Sequence, residues 1–285
     1  MERADPTTES ELLEAARRGD RDALARLLGQ HQQRVFGFGF TMCGDWEDAK
    51  DVAQETLMAM ARTIGSFRGA SSLTTWLYTV ARSFCIKKRR RTKGAPTHHE
   101  PLDQATLERV GEAAPTPEHM LLGREAREIV AAALERLDPD SREVVVLRDI
   151  EGLSAAEVAE ITGASVPAVK SRLHRARAAL REHLLALVGG VPAPPASASC
   201  PDVLTMLSRK LEDEISPDMC AQMEEHVEGC PHCKGLCDSL KKTLAICKTL
   251  PTPTVPEHMR LSLRDAVAAA LSAPKVDSPT RPESR

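Results

Sequence analysis

The sequence predicts an all-α protein, on three observations. Ala, Leu, Arg and Glu dominate the 285 residues, apolar positions recur at helical rather than alternating spacing, and aromatic content is low at 3%. Pro-rich breaks divide the chain, so we expect two helical domains, the second with a helix-turn-helix, joined by a flexible linker. A small helical cysteine-rich domain follows them.

The first helical block runs from Glu11 to Lys93. Gly19-Asp20 ends one helix and caps the next. Ala49, Val52, Ala53, Leu57, Met60 and Ile64 form one apolar stripe, and Leu73, Trp76, Leu77, Val80 and Phe84 a second. Asp48, Asp51, Gln54 and Glu55 lie on the polar face opposite the first stripe. The 73/76/77/80 spacing places Trp76 in the core rather than against a ligand. The block ends in Lys87, Lys88, Arg89, Arg90, Arg91 and Lys93, six cations in seven positions. A helix dipole attracts cations to its C-terminus, but this run exceeds what a dipole needs and points to phosphates.

From Gly94 to Pro117, Pro96, Pro101, Pro115 and Pro117 prevent a continuous helix, and Glu100, Asp103, Glu108 and Glu112 make the linker acidic. The second block spans Glu118 to Val188. Ser154-Ala-Ala-Glu157 is a capping box, and Val158, Ala159 and Ile161 give a short helix its apolar face. Gly163 supplies the turn, Ser165 caps the next helix, and Pro167 sits in its first turn. Val169, Leu173, Ala176, Leu180 and Leu184 hold that helix on the core. Ala168, Lys170, Ser171, Arg172 and Arg175 are left facing outward near its start, the mixture of small, polar and cationic groups that a DNA recognition helix needs.

A Pro/Ala linker, Gly189 to Ser199, leads to the cysteine block at 200–250. Six of the eight cysteines fall between Cys200 and Cys247, which behind a long intracellular-looking chain favours metal or redox chemistry over disulfides. His226-x3-Cys230-x2-Cys233 offers three ligands, and Cys200, expected on the preceding helix, completes a closed tetrahedral Cys3His set suited to structural Zn²⁺. Cys220, Cys237 and Cys247 read either as buried small apolar side chains or as redox partners or extra soft-metal ligands. Met206, Met219 and Met223 keep copper or another soft metal open as a sensed ligand. Cys43 and Cys85 read as structural. The segment 251–285 is expected to hold one helix, around Val255 to Leu271, and a disordered tail.

The net charge is close to balanced, with 38 Lys+Arg against 41 Asp+Glu, so only local clusters speak of partners. No apolar run reaches the roughly 18 residues of a membrane span, and Met1 to Ser10 lacks the apolar core of a signal peptide. We therefore expect a cytoplasmic protein with no membrane contact.

The run Gly152-Leu153-Ser154 through Lys170-Ser171-Arg172-Leu173-His174-Arg175-Ala176-Arg177, with Leu134-Glu135-Arg136-Leu137-Asp138-Pro139 ahead of it, resembles the promoter −35-binding domain of the extracytoplasmic-function sigma factors. Asp48 to Thr56 resembles the segment of that family that docks on the clamp helices of the polymerase β′ subunit. Phe67-Arg68-Gly69 and Thr75 to Arg82 resemble its −10 recognition segment. The resemblance implies core RNA polymerase (β′ clamp and β subunits) and promoter DNA as partners. It implies polymerase binding by Asp48, Asp51, Gln54 and Glu55. DNA contact falls to the Gly69–Thr74 loop, with Ser71, Ser72 and Thr74, to Lys87–Arg91, and to Ser165, Ala168, Lys170, Ser171, Arg172 and Arg175. The cysteine block, read as a Cys, one helix of about 20 residues and then His-x3-Cys-x2-Cys, resembles the zinc-binding anti-sigma domain, which usually acts as a separate protein wedged between the sigma domains. Fused here, it implies an intramolecular contact and a metal- or redox-responsive control. Two other readings stay open at this point: a helix-turn-helix regulator acting without polymerase, and a thiol- or metal-dependent enzyme. The second is the weaker, because no open metal position or general base stands beside the Cys3His set.

Overall fold

A computed structural model describes residues 8–92, 128–189, 197, 199–249, 255, 260–262 and 265, and among these there is no strand. The acidic linker, most of the Pro/Ala linker, the side chains of Arg90 and Arg91, and nearly all of the expected C-terminal helix and tail lie outside the described residues. No described helix is long and apolar enough to cross a membrane.

The N-terminal body is built from four helices. In α1 (Glu9–Arg17), Thr8 and Glu11 cap each other reciprocally. Asp20 caps α2 (Arg21–Cys43) by accepting from the amides of Asp22 and Ala23. Asp45 caps α3 (Trp46–Thr63), a single 3₁₀ turn follows at Ile64–Ser66, and α4 spans Leu73–Thr92. The close crossing of α2 and α3 depends on Gly39: a Cβ there would stand 3.3 Å from the Cα and carbonyl oxygen of Ala49.

The stripe of α3 is buried as its spacing predicts. That of α4 is rotated. Leu73, Leu77, Tyr78, Ala81 and Cys85 are buried, while Trp76, Val80 and Phe84 are only half-buried. The cause is the second body, which covers the Tyr78 face of the helix and gives the tyrosine hydroxyl a carboxylate partner, Glu151.

That second body contains a helical stretch at 128–135 and α5 (Pro139–Val145), capped by Asp138, which runs on as a π-helical turn at Val146–Ile150. The helix-turn-helix follows: α6 (Ala155–Thr162), capped by the Ser154/Glu157 box, and α7 (Val166–Leu187), capped by Ser165. Between them Gly163 takes φ 70°, a conformation that costs glycine nothing. α4 lies against α6, and one continuous buried cluster extends from Leu12 to Leu184, so the two bodies share a core. Arg82 crosses the seam to donate to Glu143 at 2.8 Å.

The cysteine module is three helices, α8 (Val203–Leu211), α9 (Pro217–Gly229) and α10 (Pro231–Thr249), around a separate small cluster of Val203, Leu207, Met223, Cys233, Cys237, Leu240 and Leu244. A single long helix ahead of His226 does not form. Asp213 turns the chain at φ 55°, and Ser216-Pro217 starts α9 as cap and first-turn proline. Cys200 is likewise not on a helix but in the turn ahead of α8. Both α8 and α10 pack on α7, and Cys247 of α10 and Val255 beyond it are buried in the main core.

Candidate nucleic-acid interface and metal centre

On α3 the four polar-face residues share one side, with Asp51 and Glu55 exposed and Asp48 and Gln54 half-buried. They are not alone there. Lys88, from the basic end of α4, reaches Asp48 at 2.9 Å and Asp51 at 2.5 Å. One cation of the expected DNA-contacting run is therefore spent on two acids of the expected polymerase-binding patch. Its neighbour Lys87 lies over the Phe84 ring, 5.0 Å from the centroid.

Beside α4, Thr63, Ser66, Phe67, Arg68, Gly69, Ala70, Ser71 and Trp76 line a cleft of about 260 Å³. Phe67 and Trp76 meet edge to face in it at 6.2 Å. Trp76 is a half-buried wall of this cleft rather than a core anchor. Of the three polar loop residues singled out in the sequence, only Ser71 lines it. Ser72 accepts from the amide of Thr75 at 3.0 Å and so starts α4, and Thr74 is half-buried on the helix. Arg68, not among the expected contacts, is at the cleft; its adjacency to Gly69 was the available signal.

The exposed start of α7 carries Ser165, Ala168, Ser171 and Arg175 at the surface. The longer polar side chains are engaged. Arg172 pairs with Asp140 at 3.6 Å. Lys170 donates to the backbone oxygen of Glu212 at 2.9 Å and pairs with Glu214 at 3.4 Å. His174 is clamped between Ser208, 2.8 Å from Nδ1, and Glu214, 3.3 Å from Nε2. Burial pushes the His174 imidazole below its ordinary range in spite of that carboxylate.

Beneath these contacts lies a buried ionic network. Arg177 grips Asp149 with two bonds, at 2.9 and 2.6 Å, and takes Glu212 at 2.6 Å and the Ser208 hydroxyl at 2.9 Å. The second oxygen of Glu212 accepts from Arg148 at 3.0 Å. Two guanidinium groups thus face two carboxylates, which is how buried charge becomes tolerable. Arg181 reaches Ser239 of α10 in the same seam. Sequence reasoning missed this network. The signal was present, because Arg177 sits on the 173/180/184 apolar stripe, where a charge demands a buried partner.

Within the module Cys200, His226, Cys230 and Cys233 converge, their ligand atoms all within 4.8 Å of one another. Cys200 and Cys230 sulfurs are 3.7 Å apart, and His226 Nε2 is 3.2 Å from the Cys233 sulfur. A tetrahedral ion with metal–sulfur bonds of about 2.3 Å would hold its sulfurs about 3.8 Å apart. Three different elements deliver the set: the turn before α8, the end of α9 and the first turn of α10. Crowding sets the thiols against one another. Cys200 is held down to about 6, chiefly by the Ser197 hydroxyl, whereas burial and the neighbouring sulfurs push Cys233 up to about 12. A divalent cation resolves such a conflict by compensating every thiolate at once. Among the described residues no other cysteine joins the set. Cys220 lies 3.7 Å from Glu224, Cys237 is buried in the module's cluster, and Cys247 is buried near Asp149 and pushed up to about 12. Met223 is core and Met219 exposed.

Comparison with known proteins places names on these bodies. The family model for sigma-70 region 2 matches residues 27–94, that for sigma-70 region 4 matches 127–180, and a putative zinc-finger model matches 200–234. The RNA polymerase sigma-H factor of Pseudomonas aeruginosa is 30% identical over 184 residues, 63% of this chain and 95% of the relative. The ECF RNA polymerase sigma-E factor of Haemophilus influenzae is 32% identical over 178 residues, 61% of this chain and 94% of the relative. The sigma factor YlaC of Bacillus subtilis is 34% identical over 168 residues, 58% and 93% of the two chains. Among solved structures, CnrH in complex with the cytosolic domain of CnrY is similar at 28% identity with a TM-score of 0.44, covering 61% of this chain and 96% of that one. Two sigma regions leave the operator-binding and enzyme readings without a purpose for the N-terminal body. The chain belongs to the extracytoplasmic-function sigma factors of the sigma-70 family: it is a transcription initiation factor, not an enzyme, with a putative zinc finger behind its sigma regions.

Proposed function

We propose that this sigma factor restrains itself, and that its cysteine module is the restraint. In the working state the α3 face led by Asp48, Asp51, Gln54 and Glu55 docks on the β′ clamp helices of core polymerase. The cleft between Arg68 and Trp76 takes a base extruded from the −10 element, and the start of α7 reads the −35 element. Phosphate contacts come from the basic end of α4 and from Lys170, Arg172 and Arg175.

The observation that carries the restraint is the engagement of Lys170 and His174 by the acidic turn of the module. Glu212 and Glu214 present carboxylate and carbonyl oxygens to a recognition helix whose working partners are phosphate and base-edge oxygens. Both cannot hold Lys170 at once. The clasp of Lys88 by Asp48 and Asp51 adds a second closed contact, in the N-terminal body.

Zn²⁺ fits the Cys3His set, with Cys200, His226, Cys230 and Cys233 as its ligands. The ion would supply a cross-link fixing α9 and α10 to the start of α8, with no catalytic part. Because that link runs through the helix whose end bears Glu212, loss or exchange of metal, or oxidation of its thiolates, is the natural release signal. The whole acts in the cytoplasm, where promoter and polymerase are.

The test is run-off transcription by core polymerase with the full chain and with a chain ending at Ser199, each with zinc, copper, cadmium and peroxide. The shortened chain is expected to transcribe constitutively and the full chain only under a releasing condition. Equal transcription by both under every condition would remove the restraint from the reading. Failure of both to join polymerase would remove the docking assignment.

A further inference from the structure

We propose that Cys43 and Cys85 form an oxidisable dithiol, a modification site in the N-terminal body separate from the cysteine module. The residues lie 42 positions apart on different helices, yet their sulfurs are in contact at 3.6 Å. A disulfide needs about 2.04 Å, so closure requires an approach of about 1.6 Å. Cys43 is placed to move. It is the last residue of α2, and Gly44 follows it at φ 72°. Cys85 is fixed, 1% exposed within α4.

The two thiols are unequal in a useful way. Cys43 is half-buried, so an oxidant in solution reaches it first, and Cys85 waits behind it. The hydrogen bond between Cys43 and Cys85, aided by nearby Arg89 and Lys88, holds Cys43 below the ordinary thiol range against burial and Asp48. The same bond and burial hold Cys85 well above it. A half-buried thiol of lowered pKa with a buried thiol 3.6 Å behind it is the arrangement of an attacking and a resolving cysteine.

With hydrogen peroxide the chemistry closes. The Cys43 thiolate attacks one peroxide oxygen, the O–O bond breaks, and sulfenic acid and hydroxide result. Cys85 sulfur then attacks the sulfenic sulfur, forming the S–S bond as water leaves. The hydroxide takes up the proton that Cys43 gave up. Two thiols are oxidised, one peroxide is reduced, and two waters form.

The new bond would pin the end of α2 to α4. Asp48 lies five residues beyond Cys43 and its partner Lys88 three beyond Cys85. The bond therefore falls beside the clasp between these helices, and Arg142 of α5 is close enough to feel the Cys43 charge.

The experiment treats the full-length, zinc-loaded chain with limiting hydrogen peroxide, blocks residual thiols in denaturant, and maps peptides without reduction. A Cys43–Cys85 linked peptide, lighter than the two thiol peptides by two hydrogens and lost on reduction, is the expected product. In Cys85→Ser, dimedone should instead trap a sulfenic acid at Cys43. Full alkylation of both residues while the module cysteines oxidise, or pairing of Cys43 with any other cysteine, overturns the proposal. The wild-type map alone decides it, should the variant fail to fold.

Discussion

Arg177, on the recognition helix, and Glu212, in the acidic turn of the cysteine module, form an ion pair at 2.6 Å with both side chains shut off from solvent. The arginine belongs to the sigma region and keeps a second carboxylate, Asp149, when the module leaves. Among the described residues the glutamate has no ion pair within its own module. Detachment therefore leaves Arg177 paired with Asp149, takes the Glu212 carboxylate away from Arg148, and gives the module a newly exposed acid. The pair favours one partner's independence over the other's.

Glu212→Ala should loosen the closed state. It strips a carboxylate that serves Arg177, Arg148 and, through its turn, Lys170. Breaking a buried pair costs on the order of 3–5 kcal/mol, here toward the lower end because Asp149 remains. A lower denaturation midpoint and a higher run-off yield from the full chain are the joint expectation. Unchanged transcription with an unchanged midpoint would argue that the turn holds nothing.

Lys170→Ala should act in opposite directions in the two forms. In the full chain it removes a contact to Glu214 and the Glu212 carbonyl, easing release. In a chain ending at Ser199 it removes a phosphate contact, so affinity for promoter fragments falls whatever their sequence. The slope of log affinity against log salt should become shallower by about 0.9. A salt titration by fluorescence anisotropy reads both numbers.

The seam between the sigma regions should weaken as pH rises. Burial raises Glu151 above the ordinary carboxylate range, opposed by the Tyr78 hydroxyl and by Arg34. A carboxyl whose folded pKa is raised favours the folded state below its unfolded pKa, and that advantage is lost as pH climbs through the folded value. Glu151→Gln keeps an acceptor for Tyr78 without the buried charge. Its melting temperature should exceed that of the wild type at neutral pH and converge on it in acid. A constant difference across the titration would exclude Glu151 as the source.

Metal removal should dissolve the module and spare the rest. Its own apolar cluster has seven buried residues, too few to stand without the cross-link. Chelation is expected to abolish hydrogen-exchange protection over α8 and α9 while α2 and α3 keep theirs. Cys230→Ser should lose tightly held zinc and reproduce the same pattern. Protection retained after complete chelation would make the metal dispensable for folding.

Much of this fold is legible in the sequence, because its signals are local. The Ser154/Glu157 box, Gly163 and Ser165 each fix a backbone conformation within a few residues, and each stands where the spacing puts it. Three of the four converging residues were legible for the same reason, through the short His-x3-Cys-x2-Cys run, and Cys200 followed as the fourth that a tetrahedral set requires. Ser216-Pro217 was equally local, and overlooking it made one long helix out of two. The remaining misses depend on what lies opposite. The stripe of α4 is turned toward Tyr78 by a body whose arrival no spacing within α4 announces. The place of Arg177 on an apolar stripe announces a buried partner, but not that Asp149 and Glu212 come to it from 28 and 35 residues away.

The continuous core beneath both sigma regions has a calorimetric consequence. Parting the regions along a promoter would bring apolar side chains from α4, α5 and α6 into water, so the step resembles a fragment of unfolding and carries a positive heat-capacity change. Its equilibrium must curve with temperature, and the apolar contribution to closure fades on cooling. The apolar share of that closure thus grows on warming and shrinks on cooling, before any ion or oxidant is sensed.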